Sequence, residues 1–214
     1  MTSAKNIAVV FAIADVIGVP IFIAWYIWRG QFVAPATWIA LTLWLIASFL
    51  MNSDSPDSLG IRTDNLWSAT KQAALVFAFF AIAVGATGIL LGQPAHLPPN
   101  FRSLARFGTY VAFCFLQQIG LNSLLMNRLM ALTRNCWLAS GIAGIVFSAL
   151  HWPNPVLVPL TLIGGAAMAW LFGRERNILP LAVAQAVLGS LVWWAFPAAW
   201  HHMLRVGPGY YSPY

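Results

Sequence analysis

The chain has 214 residues, of which 60% are hydrophobic and 7% charged, with a mean hydropathy of +0.77 and a formal net charge of +6. Soluble domains carry roughly a quarter charged residues because a compact surface must be solvated, so this composition excludes a water-soluble globular protein. The eleven Lys and Arg are scattered singly between apolar runs, which excludes a nucleic-acid patch and suits loop charges that meet anionic headgroups.

Punctuation by Gly, Pro and charge predicts an all-α, polytopic transmembrane helical bundle of about seven (six to eight) spans. These run roughly 7 to 28, 35 to 51, 71 to 92, 105 to 127, 136 to 151, 155 to 173 and 178 to 199. Met1 to Asn6 is too short for a domain. The apolar run Ile7 to Trp28 is longer than a signal-peptide core and reads as a retained first helix. A longer polar stretch, Asn52 to Thr70, holds Asp54, Asp57, Arg62 and Asp64. With no internal repeat, residues 1–214 read as a single transmembrane domain that ends in a short irregular tail, 206–214. There Pro and Gly forbid a regular helix, and an unstructured end is slightly preferred to a partner surface.

Alternate loops carry unequal charge. With the N-terminus inside, Lys5, Arg62, Lys71, Arg128, Arg134, Arg174 and Arg176 fall on the cytoplasmic side, and Arg29, Arg102, Arg106 and Arg205 on the other. The expected location is a bacterial inner (cytoplasmic) membrane with a cytoplasmic N-terminus. Trp25, Trp28, Trp67, Trp137, Trp152 and Trp200 fall near span ends, where an indole sits well at headgroup level. Cys114 and Cys136 form neither a disulfide framework nor a metal motif.

Polar side chains inside the spans are the candidate functional groups, because an unsatisfied polar group in lipid costs several kcal/mol. Asp15 lies near the middle of the first span and is expected to be protonated or paired, most simply as an inter-helix hydrogen bond. In the fourth span, Gln118 and Asn122 share a helix face while Gln117 is turned about 100° away. These amides can glue helices together but cannot act as a general base. His151 follows Phe147 by one turn and precedes Trp152-Pro153-Asn154-Pro155, which breaks the helix. Gln185 stands two turns into the last span, with Gly189 one turn further on. Small-residue runs, Gly141 to Gly144 and Gly164-Gly165-Ala166-Ala167, allow close helix approach, internally or to a partner.

Taken in order, these elements resemble the CPBP family of intramembrane proteases, which includes the type II CAAX prenyl endopeptidases and bacteriocin-processing relatives. The family pattern is Glu-Glu-x-x-x-Arg, then Phe-x-x-x-His at a helix end, then His-x-x-x-Asn. Here it stands as Gln117-Gln118-Ile119-Gly120-Leu121-Asn122, Phe147 to His151, and Gln185 to Gly189. Leu59-Gly60-Ile61-Arg62 and Asn177-Ile178-Leu179-Pro180 resemble the family's lead-ins to its third and last spans, so the likeness covers about 58–195. The resemblance implies a glutamic-type intramembrane peptidase, in which the first glutamate activates water while the histidines and the Arg or Asn support it. Only Phe147 and His151 match that pattern. Gln117 and Gln118 replace both glutamates, Asn122 the arginine, Gln185 the second histidine and Gly189 the asparagine.

A positioned base contributes roughly 10² to 10⁴-fold, so its loss removes the family chemistry. His151 alone cannot hold a catalytic zinc, which takes three protein ligands. What remains of the resemblance is the fold, a helical bundle with a polar, mid-membrane pocket expected to be lined by Gln117, Gln118, Asn122, His151 and Gln185. The expected function is therefore a non-catalytic binding or assembly subunit, a pseudoprotease. Its partners would be the lipid bilayer and another integral membrane protein or complex, with no cofactor, no metal and no nucleic acid. Two alternatives stand beside it. One is a still-active CAAX/CPBP-type endopeptidase with an altered site. The other is a pigment- or tetrapyrrole-binding subunit ligated by His151 or by the His201-His202 pair near Trp152, Trp193 and Trp194. Transport is disfavoured, since Asp15 is the sole ionisable acid in the spans.

Overall fold

A computed structural model describes residues 2–94 and 99–213. Among these residues the secondary structure is entirely helical. Four helices are long and apolar enough to cross a membrane: Val9–Val33, Leu66–Leu90, Leu104–Thr133 and Leu157–Glu175. Three shorter apolar helices, Pro35–Met51, Cys136–Ala149 and Leu179–Ala195, complete the seven expected segments. The protein is thus a helical bundle built to lie in a bilayer. We number the helices α1 (Thr2–Trp25), α2 (Trp38–Met51), α3 (Leu66–Leu90), α4 (Leu104–Gln118), α5 (Asn127–Thr133), α6 (Cys136–Ala149), α7 (Leu157–Glu175) and α8 (Leu179–Ala195).

Side-chain caps start the helices where the polar punctuation falls. Ser103 accepts from Arg106 N–H at 3.1 Å, Asn135 from Leu138 N–H at 3.1 Å, Asn154 from Leu157 N–H at 3.0 Å and Asn177 from Leu179 N–H at 3.1 Å. Each satisfies a backbone donor that lipid could not. Arg134 and Arg176 close α5 and α7 in the left-handed conformation that lets the chain turn back.

The best-packed pair is α6 against α7, which cross at small residues. A methyl group on Gly144 would lie 2.6 Å from the Leu162 carbonyl oxygen, and one on Gly165 would lie 2.9 Å from the Phe147 ring. The two small-residue runs therefore serve internal packing at Gly144 and Gly165, while Gly141 has open space around it. Helix α8 packs on α3 and α4, and the α1–α2 hairpin leans on α5.

The long polar loop is pinned to one end of the bundle. Gly60, at φ +78°, approaches so closely that any Cβ would strike the Phe172 ring, and its carbonyl accepts Ile178 N–H at 2.9 Å. Ser123 donates to the Leu59 carbonyl at 2.5 Å, and Asn177 to the Arg62 carbonyl at 3.0 Å. The two lead-ins noted in the sequence are thus packed against each other. Trp25, Trp28, Trp67, Trp137, Trp152 and Trp200 are all exposed, as expected for span ends.

The fourth span departs from expectation. Instead of ending near residue 127, the helix continues to Thr133 through a π-helical stretch, Ile119–Met126, between α4 and α5. Arg128, counted above as a loop charge, therefore lies inside the bundle and is buried. Its burial is tolerated because it is paired: Nε donates to Asp15 at 3.0 Å and Nη2 to Asp54 at 2.7 Å. Asp15 also accepts from Trp44 at 3.1 Å and from the Ser48 hydroxyl. Asp15 is thus paired, and the paired reading of this carboxylate holds.

The tail is not unstructured. Gly207–Tyr211 forms a 3₁₀ turn, Gly207 N–H donates to the Trp152 carbonyl at 2.9 Å, and the His202 and Tyr210 rings stack at 4.1 Å. Buried Asn154 fastens the approach to it, donating to the carbonyls of His201 at 2.7 Å and Arg205 at 3.0 Å. Between those anchors His202, Met203 and Leu204 all take positive φ, which is costly for non-glycine residues and persists only because both ends are held. Of the segments read above, Met1 and Tyr214 lie outside the described residues, as does the side chain of Lys5.

Candidate functional site: an amide-lined cavity

A cavity of about 550 Å³ opens among α3, α4, α6, α7, α8 and the C-terminal segment. Its walls are mainly aromatic and aliphatic, with polar side chains from Tyr110, Gln117, His151, Thr161 and Gln185; Phe147 and Gly189 also line it. It extends from the middle of the bundle to the end carrying 203–206, so the pocket expected at mid-membrane depth reaches that end of the bundle.

The structure brings the three sequence elements together. Gln185 sits between the two neighbouring glutamines, accepting from Gln118 Nε2 at 2.7 Å and donating to Gln117 Oε1 at 2.5 Å. Asn122 donates to Gln118 Oε1 at 2.5 Å, as their shared helix face requires. The four amides thus form one hydrogen-bonded chain, Asn122 to Gln118 to Gln185 to Gln117. Each carbonyl oxygen except that of Asn122 accepts within the chain; Asn122 Oδ1 is buried with no partner among the described residues. Gln118 and Asn122 are fully buried behind the wall rather than on it, a correction to the five-residue lining expected from the resemblance. Only Gln117 and Gln185 reach the cavity.

His151 lies just past the end of α6, its ring edge-on to Phe147 with centroids 4.6 Å apart. Its Nδ1 lies 2.7 Å from the Phe147 carbonyl oxygen. A carbonyl only accepts, so Nδ1 carries the proton, and in the neutral imidazole Nε2 then keeps its lone pair. That nitrogen can accept a hydrogen bond or ligate a metal. Among the described residues no group of three or more His, Cys, Asp or Glu is placed to share a metal ion.

Two contributors escaped the sequence reading. Met168 places its sulfur 2.8 Å from Gln118 Nε2, and Tyr110 points its hydroxyl at Gly189 from the facing helix. Neither belongs to a motif. The only advance signal for Tyr110 was a phenol on the same face of α4 as Gln117, two turns away. His201, a candidate ligand, is buried with Nδ1 unpartnered among the described residues, and His202 stacks on Tyr210; neither lines the cavity.

The fold and site define a membrane-embedded helical bundle whose mainly apolar cavity carries Gln117, His151 and Gln185 from motif positions. Residues 99–191 match the family model described as Rce1-like, type II CAAX prenyl endopeptidase, a likeness over that part of the chain that supports the CPBP resemblance. No curated protein and no solved structure matches the chain.

Proposed function

We propose that the protein is a non-catalytic member of its family, a binding or assembly subunit that engages another integral membrane protein while its cavity binds without cutting. The observation that carries this reading is the amide chain. At the positions where the resembling family places two carboxylates, a cation and a second imidazole, Gln117, Gln118, Asn122 and Gln185 are neutral and bonded mainly to one another. An amide neither takes nor gives a proton near neutral pH, so water at this wall meets no base but His151. Without buried Arg128, six loop Lys and Arg against four still favour a cytoplasmic N-terminus, and a bacterial inner membrane is the location we assign with it.

Purification of the full chain from its native membranes in mild detergent tests the assembly role. A stoichiometric integral membrane partner is expected to co-purify, and recovery of the chain as a lone monomer would count directly against it. The enzymatic alternative rests on the Nε2 lone pair of His151, the one basic group on the cavity wall.

A further inference from the structure

Gly189 is the one motif position with no side chain, and the space above it is filled from the facing helix. A Cβ there would meet the Tyr110 hydroxyl head-on and lie 3.0 Å from its ring carbon Cζ. Tyr110 and Gln117, seven residues apart on α4, therefore present an O–H and an N–H on one wall of the cavity. Both donors retain capacity. Gln117 accepts from Gln185 through Oε1, and its Nε2 has no acceptor among the described residues. The partner of Tyr110 within α4 is the Cys114 thiol, a weak acceptor.

The remaining walls restrict what can bind. Apart from His151, Thr161, Gln185 and Trp193 they are apolar, and Phe80, Val84, Leu157, Leu160, Met203 and Leu204 offer no polar side chain. An extended peptide, with an amide group at every residue, would leave several of them unpaired against such walls. No Lys, Arg, Asp or Glu lines the cavity among the described residues, so a charged headgroup would be desolvated without a counter-charge.

We propose that the cavity binds a neutral lipid with a single polar head through a carbonyl oxygen, and that Tyr110 is the donor replacing the side chain absent at position 189. This rests on the reading that the site binds without turnover, and it adds the chemistry of what is held.

The test uses the purified full-length protein and three photoreactive probes of equal chain length with a mid-chain diazirine: palmitamide, the corresponding hydrocarbon and the corresponding alkylammonium. Palmitamide is expected to label α4 and α8 about fivefold more than the hydrocarbon, the factor that corresponds to one neutral hydrogen bond. Tyr110→Phe should bring palmitamide down to the hydrocarbon level while leaving hydrocarbon labelling and the thermal midpoint unchanged. Gly189→Ala, which keeps the phenol but displaces its hydroxyl, should give the same selective loss. Equal labelling by palmitamide and hydrocarbon in the wild type, a preference for the ammonium probe, or unchanged palmitamide labelling in either variant would overturn the assignment. Those outcomes leave the co-purification result untouched, and absence of a partner leaves the probe preference untouched, so the two readings fail separately.

Discussion

Replacing Arg128 with alanine is expected to cost about 3 to 5 kcal/mol of stability, because it leaves buried carboxylates without their counter-charge. The Arg128 and Asp15 side chains are only 6% and 5% exposed, and that of Asp54 is 11% exposed. One guanidinium spans both acids through different nitrogens, a geometry that a lysine ammonium cannot reproduce. This arginine also ties the α1–α2 hairpin to the rest of the bundle, since Asp15 lies on α1 and Ser48 on α2. Thermal unfolding in detergent micelles should show the loss. The combined change Asp15→Leu, Asp54→Asn and Arg128→Met should recover most of it, because no buried charge of the triad is then left alone. The exposed pair Arg62–Asp64 supplies a contrast. The Asp64 carboxylate, held below its usual range chiefly by the Arg62 hydrogen bond, stands in solvent, and Asp64→Asn should change little.

Gly144→Ala should destabilise by about 1 to 3 kcal/mol, the range for overpacking a filled interior. The added methyl would meet backbone, the Leu162 carbonyl oxygen at 2.6 Å and Ala166 nitrogen at 2.9 Å, so rotamer changes cannot relieve it and α6 must part from α7. His151 follows the end of α6 and Thr161 and Met168 lie on α7, so the same displacement should disturb the cavity. Gly141→Ala, one turn earlier on α6, meets nothing within 4 Å and should be neutral or slightly stabilising, since alanine is the better helix former by about 1 kcal/mol. Comparing the two thermal midpoints separates steric crowding from helix propensity.

The seven helical segments were legible in the sequence because each apolar run is bounded by polar, Pro or Gly residues that also cap the helices. Asn135, Asn154 and Asn177 act as such caps. The meeting of Gln117, Gln118, Asn122 and Gln185 was legible only through motif spacing, since period alone says which residues share a face and not which helices adjoin. Arg128 was misplaced for a physical reason: a cation after an apolar run ordinarily marks a loop, and its burial depends on Asp15, 113 residues earlier. The lining role of Gln118 and Asn122 failed similarly. The face they share with each other turns into the bundle, where Met168 and Gln185 cover it, and no one-dimensional pattern distinguishes that side from the cavity. Tyr110 was invisible because its role depends on the missing side chain of a residue on another helix.

The most direct test of a site that binds without cutting is turnover of a prenylated membrane peptide by the purified wild-type protein against His151→Ala. Background hydrolysis equal in both is the expected result, with cleavage appearing only when Gln117→Glu and Gln185→His are introduced together to restore a base and its supporting imidazole. Turnover by the wild type that falls by about 10²-fold or more in His151→Ala, the scale of a lost general base, would contradict it.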